Sequence, residues 1–372
     1  MIKKLIRPVL YLLYLLIIVE VTLRFVYANA DFTKRLYANE EGYWHREWVR
    51  KHRDGGPLAY KMDLFHPQRG WSTKGNYSEQ KKQNSENIVT STNDRGLRGW
   101  RNFTYEKRQD QLRILLIGDS FTFGEDVSDK EVFAHQLQEM LPQAEIINMG
   151  VHGYAHDQMM LLLKEEGLKY QPDIVIINFL SEDMSRNMLN FRDFAKPKFQ
   201  VINDQLVRTN PHLPTPEQVI KWAWAKPRIQ YLWSYVQYRA QNKSGKYQQQ
   251  MEEVTRHLLK EMVKSIDSIG STPVLAFLPY GDQIVDQRDQ IPEEDFLFDF
   301  CEQEQLDYCF TTRLRFREKT AQGVKFKTKY HYKAPGHVAV AESIYGFLEE
   351  EGLLPDSLVE VGGIGDWRRV GD

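Results

Sequence analysis

Several residues able to do acyl chemistry stand where apolar runs end. Ile114–Ile117 leads straight into Gly118-Asp119-Ser120. The run in AEIINMG is followed by Gly150, His152 and Gly153, and PDIVIINFL is followed by SEDMSRN. Beyond the last run, LDYCFTT, comes KYHYKAPGHVAVAESI with His331 and His337. If these runs are neighbouring strands, one sheet edge collects a small hydroxyl, a glycine-rich turn and an imidazole. Acyl transfer needs that set: a nucleophile, a base to take its proton, and backbone N–H donors for the oxyanion. A serine after a strand, or a lone histidine, carries little weight by itself.

Other groupings point elsewhere. His152 and His156 are spaced like metal ligands and Asp157 follows, but no third ligand stands at suitable spacing, so no metal is expected. No glycine-rich phosphate-binding pattern follows any strand, and no cofactor is expected. Asp119 and Asp183 read as supports that hold their turns through backbone hydrogen bonds.

The elements that must position these residues begin near residue 110. RILLIG, AEIINMG, PDIVIINFL, STPVLAFLP and LDYCFTT alternate with helical stretches such as DKEVFAHQLQEML and HDQMMLLLKEEGLKY. Apolar strands alternating with helices predict a five-stranded parallel sheet covered on both faces. In such sheets ligands bind beyond the carboxyl ends of the strands, where the candidate residues fall. The main domain is set at 106–352, with a helical insertion at about 185–250 and a tail at 353–372. The aromatics of the insertion (IKWAWAKPRIQYLWSYVQY) read as core packing, with a lid over a cleft as the alternative. Residues 31–105, rich in Tyr, Trp, Asn and Gly, read as turns and short strands packed on that domain.

The chain has 372 residues and a net charge of -2, which gives no reason to expect nucleic acid as a partner. Residues 1–30 put Lys3, Lys4 and Arg7 before the apolar run Val9–Val19, with apolar residues continuing to about Tyr27. A retained signal anchor is preferred over a cleaved signal peptide ending at Ala-Asn-Ala, and the bulk of the chain is expected outside the cytoplasm. Cys301 and Cys309 are read equally as a disulfide or as two small thiols.

Four stretches carry a resemblance to a known family. IGDSFTFG, NMGVHG and HYKAPGHVAVA resemble the first, second and last blocks of the SGNH (GDSL-type) hydrolases, and LSED stands where their third block falls. The resemblance covers about 110–348 and implies a three-layer α/β/α, flavodoxin-like fold. It implies Ser120 as nucleophile and oxyanion N–H, Gly153 as a second oxyanion donor, His331 as base, and His337 as a structural histidine at the start of the closing helix. Two departures stand out. Glu182 occupies the place of the block's Asn donor, leaving Asn187 or Asn178 to substitute. Lys329 and Thr328 occupy the places where an Asp usually precedes the histidine. The anchor and NDRGLRG are similar to exported bacterial members acting on envelope polymers. The implied protein is single-pass in the inner (cytoplasmic) membrane, with its catalytic domain in the periplasm or otherwise outside the cytoplasm. It would cleave or transfer an acyl group, acetyl foremost, on a carbohydrate or lipid-linked glycan, with a membrane-bound acyltransferase as candidate partner. The alternative is an inactive glycan-binding or assembly component.

Overall fold

The computed structural model describes residues 2–28, 40–53, 61–83, 86–326, 331–355 and 358. Lys329 and Thr328, and the residues Asn29 and Ala30, lie outside them.

Five strands form the central parallel sheet: β5 (Arg113–Gly118), β6 (Glu145–Gly150), β7 (Ile174–Phe179), β10 (Thr272–Phe277) and β11 (Cys309–Thr311). Their spatial order is β11-β10-β7-β5-β6. That is the flavodoxin-like order, and its switch point lies between β5 and β7, where chain connections leave in opposite directions. The expected three-layer α/β/α class is thus present.

Strand periodicity explains the two covered faces, because successive side chains point to opposite sides. Leu115, Ile117, Ile147, Met149, Val175, Ile177, Leu275 and Phe277 join one core, together with Leu163 of α5 (His156–Glu165) and Leu258 and Met262 of α9 (Lys246–Asp267). Ile114, Leu116, Ile146, Ile174, Ile176, Val274 and Ala276 join the other, with Leu137 of α4 (Phe133–Met140) and Val340 and Ile344 of α12 (Ala334–Glu350). All six residues of β5 are buried, as a run flanked by two apolar layers requires.

Outside this unit lie two hairpins, β1 (Asp63–His66) with β2 (Gly70–Thr73), and β3 (Ser78–Gln83) with β4 (Glu86–Ser91). The insertion contains a third, β8 (Phe199–Ile202) with β9 (Gln205–Arg208), followed by α7 (Pro216–Ala225) and α8 (Arg228–Lys243). The core-packing reading of the insertion's aromatics is corrected here. Val219 of α7 reaches the core, but α8 buries no residue, and Trp222 and Trp233 are 53% and 62% exposed. The helix lies instead beside α1 (Ile2–Ala28) rather than over the sheet, so it has no core to fill. Residues Ile6–Ala28 of α1 are long and apolar enough to cross a membrane, a description that a signal sequence also meets. Cys301 and Cys309 form no disulfide.

Candidate active site

β5 ends at Gly118, and the chain turns at once into the short helix α3 (Ser120–Phe123). Asp119 caps it, its carboxylate accepting from the Phe121 N–H at 2.9 Å, and Gly124 closes it with φ 80°. Ser120 is thereby held at the carboxyl edge of the sheet, buried but beside the segment that carries His331. β6 runs alongside: the Asn148 side chain donates to the Thr122 carbonyl at 2.7 Å and accepts from the Gly150 N–H at 2.9 Å. A Cβ on Gly150 would lie 2.2 Å from the Phe123 nitrogen, so only glycine lets α3 pack this close to the strand. The Val151 N–H donates to the Gly118 carbonyl at 3.1 Å, which brings the turn through Gly153 beside the serine turn. Gly153 has φ 69°, the left-handed region, and a Cβ there would meet the Arg192 guanidinium.

His331 arrives from just before α12. Its Nε2 lies 2.9 Å from the Ser120 Oγ, although 211 residues separate the two in sequence. Its Nδ1 faces the Asp126 carboxylate at 3.5 Å, and Glu125 lies 3.6 Å from Nε2. With Nδ1 protonated toward Asp126, Nε2 is the lone-pair nitrogen that can take the serine proton. Burial works against charge on this imidazole, but the Asp126 hydrogen bond and the charges of Glu125 and Asp119 outweigh it. Its pKa is raised above the ordinary 6.5. The ring rests edge-on against Phe121, centroids 5.1 Å apart. Asp126 itself sits at φ 71°, a conformation that Asp tolerates better than most residues, and Lys333 donates to its carbonyl at 3.1 Å. The orienting acid that the segment before His331 lacks therefore stands six positions after the serine. No sequence motif marks it; its signal, an Asp in a turn just beyond Ser120, is shared by many turns.

Beneath the serine lies a buried ion cluster. Arg186, from α6 (Glu182–Asn187), lies 2.9 Å from the Asp119 carboxylate, 2.5 Å from Asp183 and 3.2 Å from Glu182. Burial and the charge of Asp119 push the Asp183 carboxyl well above its ordinary range, against the pull of Arg186. Asp119 holds its turn through the Phe121 N–H, as expected, whereas Asp183, among the described residues, does not bond backbone as expected but pairs with Arg186, an arginine that the sequence reading did not single out. Glu182 is engaged as an acceptor of Arg186 and offers no donor.

The Asn187 assignment is corrected. Its amide nitrogen is 3.2 Å from His156 Nδ1 and donates to the Thr255 hydroxyl at 2.9 Å, while its oxygen accepts from the Asp157 N–H at 3.3 Å. These bonds tie α6 to α5 and α9 and commit the side chain away from an oxyanion. Asn178 sits on β7 next to Gly118, buried, with both amide atoms unpaired among the described residues. His337 lies within α12, where its Nδ1 accepts from the Phe133 N–H at 3.3 Å. Burial and the charges of Arg98 and His331 lower its pKa to about 3, so it serves as a neutral acceptor.

Residues outside the α/β unit grip both loops, which sequence reading did not foresee. His152 Nε2 pairs with the Asp63 carboxylate of β1 at 3.0 Å, both fully buried. Burial opposes charge on His152, yet the Asp63 carboxylate prevails and raises its pKa. The Trp71 indole donates to the His152 carbonyl at 3.0 Å, and the Tyr154 hydroxyl donates to the Trp71 carbonyl at 2.5 Å. Arg98 donates to the carbonyls of Phe123 and Val127 at 2.9 and 3.0 Å and pairs with Asp129, bracketing the turn of Asp126. Among the described residues no cluster of His, Cys, Asp and Glu suited to a metal occurs.

No family model and no curated protein matches the chain. Solved structures do resemble it. TesA is 12% identical with a TM-score of 0.39, covering 64% of this chain and 98% of its own. An Axe2 mutant, an acetyl-xylooligosaccharide esterase from Geobacillus stearothermophilus, is 14% identical with a TM-score of 0.39, covering 66% and 97%. A lipolytic protein of the G-D-S-L family from Desulfitobacterium hafniense is 15% identical with a TM-score of 0.34, covering 62% and 97%.

Proposed function

We propose that the chain is a serine esterase or O-acyltransferase of the SGNH type. Its substrate is an acylated carbohydrate or lipid-linked glycan, with acetyl the foremost group. The catalytic unit is held outside the cytoplasm by α1, in the periplasm or at the cell exterior. The observation that supports this most is the 2.9 Å approach of His331 Nε2 to Ser120 Oγ at the carboxyl edge of the sheet, with Asp126 behind the ring.

In the reaction, Ser120 Oγ attacks the ester carbonyl while Nε2 of His331 takes its proton. The Ser120 and Gly153 N–H groups receive the oxyanion, each such donor being worth on the order of 10²–10³ in rate. Collapse of the tetrahedral adduct breaks the bond to the alcohol oxygen, which receives the proton from His331. Water, or a sugar hydroxyl in transfer, then attacks the acyl-serine with His331 as base, and Ser120 leaves reprotonated. Asp126 keeps Nδ1 protonated and stabilises the imidazolium.

The test is turnover of 4-nitrophenyl acetate and of acetylated xylan by the purified full chain, with and without added oligosaccharide acceptor. Acetate release that is lost in Ser120→Ala supports the esterase, and diversion of acetyl to the acceptor selects transfer. A second reading, a non-catalytic glycan-binding component, is motivated by Glu182, which accepts from Arg186 where a donor would serve an oxyanion. Glycan binding with no acyl turnover would favour it.

A further inference from the structure

Ser120 and Gly153 offer backbone N–H groups to an oxyanion, and Glu182, an acceptor of Arg186, offers none. The same pair shows what stands in its place. Glu182 and Arg186 are one turn apart on α6 and share a face, and helical side chains lean toward the amino end of their helix. Arg186 therefore reaches back over Glu182, with Nη2 3.2 Å from that carboxylate. Its Nη1 donates to Oδ2 of Asp119 at 2.9 Å and to Asp183 at 2.5 Å. The same Asp119 oxygen lies 3.4 Å from Ser120 Oγ. One carboxylate oxygen thus separates the guanidinium from the nucleophile, and an ester joined to Ser120 carries its carbonyl oxygen into that neighbourhood.

A guanidinium carries five N–H donors, and among the described residues those of Arg186 form hydrogen bonds only through Nη1. The pair also opens outward: the Arg186 side chain keeps 7% of its surface and Glu182 37%, whereas Asp183 keeps none. Burial opposes charge on Arg186, but Asp183, Asp119 and Glu182 prevail and raise its pKa, so the donor is present at every working pH. A second arginine approaches the oxyanion donors and is committed elsewhere. Arg192 packs where a Cβ on Gly153 would lie, pairs with Asp193, and sits 5.2 Å from the Trp44 ring of α2 (Glu40–Arg53), which braces the Gly153 turn. We infer that Arg186 is the third oxyanion donor, a role that rests on the esterase reading. As Ser120 Oγ bonds the carbonyl carbon, the carbonyl oxygen takes up the electron pair and accepts from the guanidinium. When the adduct collapses the carbonyl re-forms and that bond weakens. A charged donor of this kind acts on the adduct more than on the bound ester, so it serves kcat rather than KM.

The experiment measures turnover of 4-nitrophenyl acetate by the purified full chain. Arg186→Gln should lower kcat by about 10²-fold or more while KM changes less than about threefold. Adding Glu182→Asn to Arg186→Gln should return about tenfold or more of that loss, because an amide then stands in the donor's place. A merely structural arginine, holding Asp119 and Asp183, would not be replaced by an amide at position 182. Asp183→Asn/Arg186→Gln leaves no carboxylate stranded at 183 and covers the case in which the single variant does not fold. With wild-type thermal unfolding it should show the same kcat loss. A folded Arg186 variant with kcat within about threefold of wild type, or a loss that Glu182→Asn does not mend, would overturn the donor. Either result leaves the esterase reading standing as long as Ser120→Ala abolishes turnover, whereas a wild-type chain without turnover would overturn both.

Discussion

Of the parts that lie outside the α/β unit, residues 61–105 and the α7–α8 arm are built in opposite ways. Residues 61–105 send buried polar groups into the site: Asp63 and Trp71 hold the 152–154 turn, and Arg98 brackets the turn of Asp126. The α7–α8 arm sends aromatics outward, and α8 buries none of its residues. A buried ion pair or hydrogen bond fixes geometry, because removing one partner strands the other in a medium that cannot solvate it. An exposed aromatic fixes nothing until something covers it. The first part therefore belongs to the geometry of the candidate site and the second to an outward-facing surface.

The contrast can be broken at graded cost. The largest effect is expected from Arg98→Met, which leaves the buried Asp129 with only its Ser91 donors and no cation, and frees both sides of the 123–129 loop. Loss of one partner of a buried pair costs about 3–5 kcal/mol, to be read by denaturant unfolding. Asp126→Asn should cut kcat by roughly 10²-fold, since the imidazole loses the acid that orients it. Its pH profile carries a sign. His331 is raised above 6.5 in the folded chain, so the stability it contributes is full below 6.5 and fades as pH climbs through the raised value. Neutral His331, the working base, dominates only above that raised value. Removing the Asp126 charge should therefore move the acid limb of the profile to lower pH.

Smaller losses should follow at the other clamp. Asp63→Asn weakens the buried partner of His152 and should cost about 1–3 kcal/mol, with kcat falling more than KM changes because the turn, not the substrate pocket, has moved. Gly153→Ala forces an L side chain into the left-handed region and against Arg192, for about 1–2 kcal/mol from the backbone alone. At the opposite extreme, Trp233→Ala should leave unfolding in detergent within about 0.5 kcal/mol of wild type. The same change should weaken association with vesicles once α1 is present in both proteins.

The difference between the two parts also explains what could be read from sequence. The strands were legible because most are apolar runs, Ser120 because it follows such a run directly, and His331 because its segment, one helix beyond β11, resembles the last family block. Gly153 was legible for the same reason. Asp126 was not, since an Asp in an irregular turn looks like any solvated loop residue. Nor was the Asp63–His152 pair, which joins positions 89 residues apart. Asn187 was misjudged because its place in α6 aims its amide at α5 and α9, a direction set by helix packing and invisible to spacing. The aromatics of α8 were misjudged because composition alone does not say whether a helix faces a core or the outside.

The central claim is that Ser120 is a nucleophile activated by His331. Reaction of the purified full chain with a fluorophosphonate, read by intact and peptide mass, tests it most directly. One adduct should form per chain, on the peptide bearing Ser120, and its rate should drop by orders of magnitude in His331→Gln while the fold persists. A folded chain that gains no adduct, or gains one on another serine at an unchanged rate in His331→Gln, would contradict it.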